Sequence, residues 1–584
     1  MKRNSTMLSK RNGMLTFALL LTAAFCFRVS VARLLPNDEP GDGKIYSQMA
    51  RNVLEQHVYS HEKKAPYDPS LIRLPGYPLF LAGIYAVFGH GDNTAVRIAQ
   101  ALIDSASCAL IALLAFYWEP DEKLKRRSAI AALALAAACP FSTIYVATIL
   151  TETPTIFFAI AMCVTATLAF QASNQRRAVL SWIATGIISG LAVLFRPDSG
   201  LFAAATGVTL VATTLLGSGH ARDTRPGKDI LFRFGRASFL GAVFSLAFCL
   251  VLVPWTIRNQ RVFHLFQPLA PAHAEMPGEF VPRGYLAWLR TWIDDGRYIA
   301  PVLWSLDESP IKIADIPDRA FDSTEEKQRV AALLDKYNHT LDEQSHDTGN
   351  AQSQASPTPP DYQAEVDEQD KANGNDNLND NANDNSDEAD SGNQNDEENS
   401  NSNDEADEND QADENSSANQ PSTQAVEMTP EIDAGFAQIA AERKARHSFR
   451  YFLWLPFKRG LSLWFDTHSQ YYPFEGELLP LSDLDYDIHQ QYWLPLFAGL
   501  TFVYTLLGVA GGWFLWSSGL FAARRWLLLA ALMIFFRIGF FSTLENPEPR
   551  YVVEVFPFLS VLGGIAVVRL IGIIRTSREK LFSN

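Results

Sequence analysis

Long apolar runs alternate with short polar connections along most of the 584 residues of the chain. A helix of about 20 apolar residues crosses the ~30 Å hydrocarbon core of a bilayer. The segment 75–88 is apolar but too short to span, so it predicts an interfacial or re-entrant helix. The longer runs predict ten membrane-spanning helices, at about 13–34, 94–117, 128–146, 153–171, 178–195, 200–217, 237–256, 492–516, 525–541 and 552–573.

The first run has two interpretations. Lys2, Arg3, Lys10 and Arg11 precede it, as basic residues precede the apolar core of a secretory signal peptide. No small-residue cleavage site follows, and nine further apolar runs come later in the chain. We therefore expect an uncleaved first helix.

Charge is distributed very unevenly. The chain carries a net −16, but residues 361–414 hold 21 Asp or Glu and one Lys, so the remainder is slightly basic. The acidic stretch is rich in Asn, Asp, Glu and Ser and cannot bury enough apolar area to fold. We predict a disordered linker over 345–425 that is dispensable for activity.

The basic residues predict one orientation for all ten spans. Lys and Arg accumulate in cytoplasmic loops. With the N-terminus inside, every loop on that side is basic, from "EPDEKLKRR" and "QASNQRR" to "FAARR" and the C-terminal "IIRTSREK". This orientation puts both termini in the cytoplasm and "NDEPGDGKIY" at the outer face of the plasma, or inner, membrane.

The same count gathers acids and arginines at the outer face. Charges at a membrane boundary are costly to desolvate, so a cluster of them indicates function. A single interfacial Arg, by contrast, often only extends its guanidinium group to the lipid headgroups. A carboxylate can take a proton from a hydroxyl, and guanidinium groups hold phosphate. These residue types suit a transfer in which a hydroxyl attacks a sugar carbon and a lipid phosphate leaves.

Several stretches occur in an order typical of one family. They are "DEPGDGKIYSQMARNVL", "IRLPGYPLFLAGIYAVFG", "LTETPTIFF", "LAVLFRPDSGLF", "VPWTIRNQRVF" and "PEPRYVVEVFPFL". Over about 34–260 and 490–575 the chain resembles the integral-membrane glycosyltransferases of the GT-C superfamily that use polyprenyl-phosphate sugars, in particular the protein O-mannosyltransferases (glycosyltransferase family 39) and the lipid A aminoarabinose transferases. The resemblance implies an all-α polytopic membrane fold.

The resemblance also implies roles for individual residues. Asp38 and Glu39 match the acidic pair of the family, and Asp38 is the candidate base. The candidates for binding the donor phosphate are Arg73, Arg258, Arg196 and Arg550. Asp42, an acid that many relatives lack, and Glu152 are candidates for orienting an Arg or the acceptor.

Each feature has a plainer alternative. Asp38 and Glu39 could cap the helix that starts near Gly43. His57 and His61, four residues apart, could bind a metal or form a solvated helix face. The aromatic residues of "GYLAWLRTWIDDGRYIAPVLW" could stack on sugars or anchor the chain at the membrane interface. All five cysteines fall in predicted spans, and none is placed for a disulfide framework.

The domain organisation follows from the spans. We predict an N-terminal membrane module over 1–256 with a catalytic first outer loop at 35–93, outer-loop segments at 257–344 and 426–491 on either side of the linker, and a C-terminal membrane module over 492–584.

The leading hypothesis is an inverting transferase whose partners are a polyprenyl-phosphate sugar, an acceptor lipid, glycan or protein, and the membrane. We expect no nucleic-acid partner and no required cofactor, with a divalent metal left open. The alternatives are a flippase or transporter of a polyprenyl-linked or anionic substrate, which would need charges at mid-membrane, and a non-catalytic cell-surface scaffold.

Overall fold

The computed structural model describes residues 2–35, 41–89, 91–216, 226–294, 296–351, 426–468, 471–472 and 488–581. Within these ranges the chain is helical and contains no strand, which confirms the all-α polytopic class. The helices are α1 Lys2–Leu34, α2 Asp42–Glu55, α3 Gly76–Phe88, α4 Asn93–Trp118, α5 Lys125–Ala138, α6 Pro140–Thr143, α7 Glu152–Phe170, α8 Gln175–Phe195, α9 Gly200–Leu216, α10 Pro226–Phe263, α11 Arg283–Leu289, α12 Thr324–Ala351, α13 Pro430–Arg446, α14 Leu455–Phe465, α15 Ile488–Ser517, α16 Phe521–Phe541 and α17 Phe556–Leu581.

Eight helices of the described chain are long and apolar enough to cross a membrane. The predicted span at 128–146 is instead α5 and the segment Pro140–Val146, which meet at a bend of 55° and would make a ninth span. The predicted span at 525–541 is present as α16, which is about 30 Å long and carries three arginines, Arg524, Arg525 and Arg537; it is not among the eight. The helix predicted at 75–88 is present as the short α3.

Small residues allow the spanning helices to approach closely. A Cβ on Gly186 in α8 would overlap the Phe244 carbonyl oxygen of α10, and one on Gly190 would lie 2.7 Å from Val251 Cβ. A Cβ on Gly511 in α15 would overlap the backbone of Leu562 in α17. Close backbone packing is the main attraction between helices in lipid, so these glycines hold the bundle together.

One charged pair lies within the described spans, between α1 and α4. Arg28 Nε in α1 donates to Asp104 Oδ2 in α4 at 2.5 Å, and both side chains are buried. Arg28 also donates to the carbonyl oxygens of Ala24, Ala136 and Ala137. The contacts of Arg28 with Asp104 and with these carbonyl oxygens therefore join α1, α4 and α5.

The two outer-loop segments form one helical unit. α11 and α13 pack together, α12 packs on α13, and their apolar side chains share a buried core. Tyr285, Trp288 and Trp292 lie fully buried in this core, so they neither stack on sugars nor anchor at the interface. The predicted linker begins inside α12, and residues 352–425 lie outside the described ranges.

The outer helical unit is joined to the membrane bundle by arginines. Arg290, which follows α11, forms an ion pair with Glu545, which follows α16. The buried Arg459 of α14 donates to the carbonyl oxygens of Ile293 and Arg290, each at 2.7 Å. The unit thus sits directly over the loop that leads into α17.

The orientation of the bundle is open to a labelling test. Lys64 and Lys123 are both exposed and belong to loops predicted on opposite sides. In a variant whose native cysteines are replaced by serine, we expect Lys64→Cys to react with an impermeant maleimide added outside intact cells. Lys123→Cys should react only after the cells are opened. The reverse pattern would place the acidic motif on the cytoplasmic side and refute the orientation.

Candidate active site

The helix after the first span brings Asp42 to Arg73. α2 begins at Asp42, and its N-cap is Gly41, with a φ of +97° that suits glycine. The N-cap position is thus held by a glycine, and Asp38 and Glu39 lie outside the described residues. Asp42 Oδ1 accepts from Arg73 Nη2 at 2.6 Å.

The surroundings of Asp42 keep it ionised. Burial raises the pKa of this carboxyl group, but Arg73 and Arg550 together outweigh burial, and the net pKa lies below its ordinary value. A lowered pKa means that the ion pair is present above the usual carboxyl range and is lost only as the pH falls through the lowered pKa. Such a carboxylate is a weak base, so Asp42 suits orientation of Arg73 better than proton abstraction.

A second group of charges is buried between α7, α8, α16 and α17. Arg196 Nη1 lies 2.8 Å from Glu152 Oε1 and 3.3 Å from Glu554 Oε1, and its Nε lies 3.1 Å from Asp198 Oδ2. Arg537 Nη2 lies 3.0 Å from Asp198 Oδ2 and 2.7 Å from Glu554 Oε1. Two arginines and three carboxylates thus form one cross-linked set, which we call the buried network.

Arg550 lies between the Asp42–Arg73 pair and the buried network. Its Nε contacts Glu548 Oε2 at 2.5 Å, its Nη2 lies 3.8 Å from Asp42 Oδ2, and its Nη1 is 3.2 Å from the Tyr471 hydroxyl. It is 15% exposed. Arg550 is therefore held by acids on two sides, at the C-terminal membrane module.

Arg258 differs from the other arginines. It stacks near the rings of Tyr59, Trp255 and Phe263, with its guanidinium carbon 5.0–5.5 Å from their centroids. Its Nη1 donates to the Ser70 carbonyl oxygen at 2.8 Å and to Asn259 Oδ1 at 2.9 Å. Within the described ranges it meets no carboxylate, and its Nε and Nη2 form no hydrogen bond.

Arg258 still lies close to the Asp42–Arg73 pair. Tyr59, one of the rings against Arg258, donates its hydroxyl to the Arg73 carbonyl oxygen at 3.1 Å. The structure thus brings six of the eight predicted site residues to one side of the bundle, namely Asp42, Arg73, Glu152, Arg196, Arg258 and Arg550.

Four charged residues of the site were missed as candidates by sequence reasoning. They are Asp198, Arg537, Glu548 and Glu554. Asp198 and Glu548 stand within the quoted stretches "RPDSG" and "PEPR". Arg537 and Glu554 carried a signal of their own, because an ionisable residue in an apolar span usually faces the bundle interior and a partner.

The proposed histidine pair does not lie on a helix. α2 ends at Glu55, and His57 follows it with a φ of +58°. His57 and His61 therefore share no helix face, which rules out both the solvated-face and the helical metal-pair interpretations. No group of three or more His, Cys, Asp or Glu residues in the described part of the chain is arranged to hold a metal ion.

A comparison with protein families agrees with this geometry. Residues 68–224 match the family described as dolichyl-phosphate-mannose-protein mannosyltransferase. The matched segment contains Arg73, Glu152 and Arg196, three charged residues of the site, and it runs from the first outer loop through α9. Over these residues the chain is similar to that family of mannosyltransferases.

Two further comparisons add little to this similarity. No curated protein matches the chain. A solved oligosaccharyltransferase from Archaeoglobus fulgidus, tethered with an acceptor peptide, is 12% identical, with a TM-score of 0.42. The alignment covers 94% of the present chain and 49% of the archaeal one, so the present chain spans about half the length of the archaeal protein.

Proposed function

We propose that the protein is a membrane glycosyltransferase of the GT-C type, which moves a sugar from a polyprenyl-phosphate donor to an acceptor hydroxyl, with inversion, at the outer face of the plasma membrane. Both termini then lie in the cytoplasm. The observation that carries the proposal is Arg258, a cation at the end of α10 with no acidic partner in the described chain. A guanidinium group that is not already neutralised has the most to gain from an incoming phosphate.

The surroundings of Arg258 suit a lipid-borne anion. Its aromatic neighbours Tyr59, Trp255 and Phe263 exclude water on three sides and fix the guanidinium plane. The free Nε and Nη2 donors can form the two parallel hydrogen bonds that phosphate accepts. Arg258 lies near the C-terminal end of the long apolar α10, which supports a position at the boundary of the bilayer, where the phosphate of a lipid lies.

The other arginines have a different task in this proposal. Arg196 and Arg537 are already shared among three carboxylates, so they fix the positions of α7, α8 and α17 rather than meet the donor. Arg73 and Arg550 are each partly exposed; Arg73 lies beside Asp42, and Arg550 lies beside Glu548 and, at 3.8 Å, Asp42. They add positive charge that stabilises the leaving phosphate as its bond to the sugar breaks.

The proposed reaction needs one base and no covalent intermediate. The acceptor hydroxyl gives its proton to the carboxylate of Asp38 while its oxygen forms the new bond to the anomeric carbon. The bond between that carbon and the phosphate oxygen breaks, and polyprenyl phosphate leaves with the electron pair. Attack from the opposite face inverts the anomeric centre.

Replacing Arg258 should weaken donor binding. A charge-assisted hydrogen bond contributes about 1.5–3 kcal/mol, so we expect Arg258→Ala to reduce donor affinity by roughly 10–150-fold. Arg258→Lys should retain part of the affinity, because it keeps the charge but loses the two-pronged geometry. Binding of a polyprenyl-phosphate sugar to protein in nanodiscs measures this effect.

Arg261 supplies a matched control, because it is an exposed arginine one turn further along α10. Arg261→Ala should bind the donor as the unchanged protein does. Equal donor affinity in Arg258→Ala and the unchanged protein would remove Arg258 from the donor site.

A further inference from the structure

A cleft of about 610 Å³ lies beside α2, next to the acidic site. Four basic residues line it, Lys44, Arg51, His61 and Lys63, together with polar residues such as Asn93. No acidic side chain of the described chain lines it. Glu62 Oε1 lies 3.6 Å from His61 Nε2, but Lys44, Arg51 and Lys63 give the cleft a net positive lining among the described residues.

The helical repeat of α2 explains how one short element serves two sites. Lys44, Gln48 and Arg51 are spaced three to four residues apart, so they share one face of the helix. Asp42 lies at its first turn and reaches Arg73 instead. The cleft thus begins within two residues of the acid that contacts the donor-side arginines.

The cations in the cleft are available to a ligand. Elsewhere on this side of the bundle, Arg73, Arg196, Arg537 and Arg550 are all held by carboxylates. In contrast, none of Lys44, Arg51 and Lys63 forms an ion pair within the described residues. Within the described chain, Lys44, Arg51 and Lys63 therefore keep their charge for an incoming anion.

Two details indicate that the cleft is built rather than incidental. Gly91 has a φ of +79°, and a Cβ there would lie 3.1 Å from Arg51 Nη2, so the glycine leaves room for the guanidinium group. His61 Nδ1 is buried and has no hydrogen-bond partner among the described residues. Both features place donor groups at the cleft in fixed positions.

We infer that this cleft binds a phosphate or carboxylate group of the acceptor, which makes the acceptor an anionic glycan rather than a neutral polypeptide. The inference rests on the proposed transferase function. The donor phosphate is assigned to Arg258, which does not line the cleft. In this inference Arg258 binds the phosphate of the donor, and the cleft binds the anionic group of the acceptor.

A binding experiment without donor tests the inference. Glucose 6-phosphate serves as the anionic probe and glucose as the neutral one, with full-length protein in phosphatidylcholine nanodiscs. We expect glucose 6-phosphate alone to bind, with an affinity that falls at least tenfold in the triple variant Lys44→Ala/Arg51→Ala/Lys63→Ala. Lys64→Ala, an exposed neighbour outside the cleft, is the matched control and should bind normally.

Further variants separate the possible outcomes. Arg258→Ala should bind the probe with the affinity of the unchanged protein. If Arg258→Ala instead loses probe binding and the triple variant retains it, the probe phosphate binds at the donor site and the inference is overturned. Equal binding of glucose, or no binding, would also overturn it. Lys63→Ala alone changes a loop residue and should cause a partial loss of probe affinity. This result would show that the triple variant acts through lost charge and not through unfolding.

The lipid composition of the nanodiscs shows whether the bound anion belongs to a lipid or to a glycan. If phosphatidylglycerol nanodiscs abolish probe binding, the cleft takes a lipid-borne phosphate group; if they do not, it takes an anion on the glycan. Both results support an anionic ligand. Because no donor is present, the result is independent of the proposed function, which fails separately if no polyprenyl-phosphate sugar is consumed.

Discussion

The Asp38→Asn variant should transfer sugar about 10²–10⁴ times more slowly than the unchanged protein, the usual cost of losing a general base. Asparagine keeps the shape and hydrogen-bonding capacity of the side chain but cannot accept the proton. Donor affinity should stay nearly the same, because we propose that Arg258 holds the phosphate. Turnover and donor binding, measured side by side, check the expectation.

Two controls make the result specific. Asp68→Asn removes an exposed acid from the same outer loop and should leave turnover unchanged. Arg73→Lys should have only a mild effect, since it keeps the charge beside Asp42. Near-normal turnover in Asp38→Asn would move the base to Glu39, because the lowered pKa of Asp42 makes it a poor substitute.

Replacing Arg537 with leucine should destabilise the fold strongly. Arg537 is fully buried and bridges Asp198 and Glu554. Removing one partner of a buried ion pair typically costs about 3–5 kcal/mol, because it leaves an uncompensated charge. We expect a clear drop in the thermal midpoint and in the yield of monodisperse protein.

A second substitution distinguishes charge from packing as the cause. Glu554→Gln, added to Arg537→Leu, removes one stranded charge with almost no change in volume, so it should recover part of the lost stability. A cavity left by the arginine would not be relieved in this way. Arg524→Leu, at an exposed arginine of the same helix, should have little effect on the midpoint.

The course of the chain through the membrane could be predicted from the sequence because lipid imposes a simple rule. A helix that satisfies its own backbone and exposes apolar side chains is the only stable single segment in hydrocarbon, so run lengths alone located the spans. The rule failed where polar groups intervene. Cys139 and Pro140 break the third span, because proline cannot continue the hydrogen-bonding ladder of α5.

The candidate site was predicted only in part, for a physical reason. Local stretches identify residues such as Arg73 and Glu152, but pairing depends on which helices touch. The contact between Glu152 and Arg196 joins residues 44 positions apart, and that between Arg196 and Glu554 joins residues 358 apart. Nothing in a single sequence encodes these distances, so Arg196 was expected at the donor phosphate although acids surround it.

The outer helical unit could not be predicted from the sequence, for a similar reason. Its aromatic residues suggested a surface role, because tryptophan and tyrosine are common at membrane interfaces. Tyr285, Trp288 and Trp292 are instead buried in a core that they share with α13, more than 130 residues further along the chain, whereas Trp304 is 51% exposed. A long acidic insertion separates the two halves of this core, and periodicity cannot detect packing across such a gap.

The most direct test of the central claim is transfer from a defined donor. Purified protein in nanodiscs is mixed with a polyprenyl-phosphate sugar labelled in the sugar and with membranes of the source cells as acceptor. We predict that the label passes to a glycan, lipid or protein while free polyprenyl phosphate accumulates, and that Asp38→Asn suppresses both. An intact donor, with the label simply moved across the bilayer or left in place, would contradict the account.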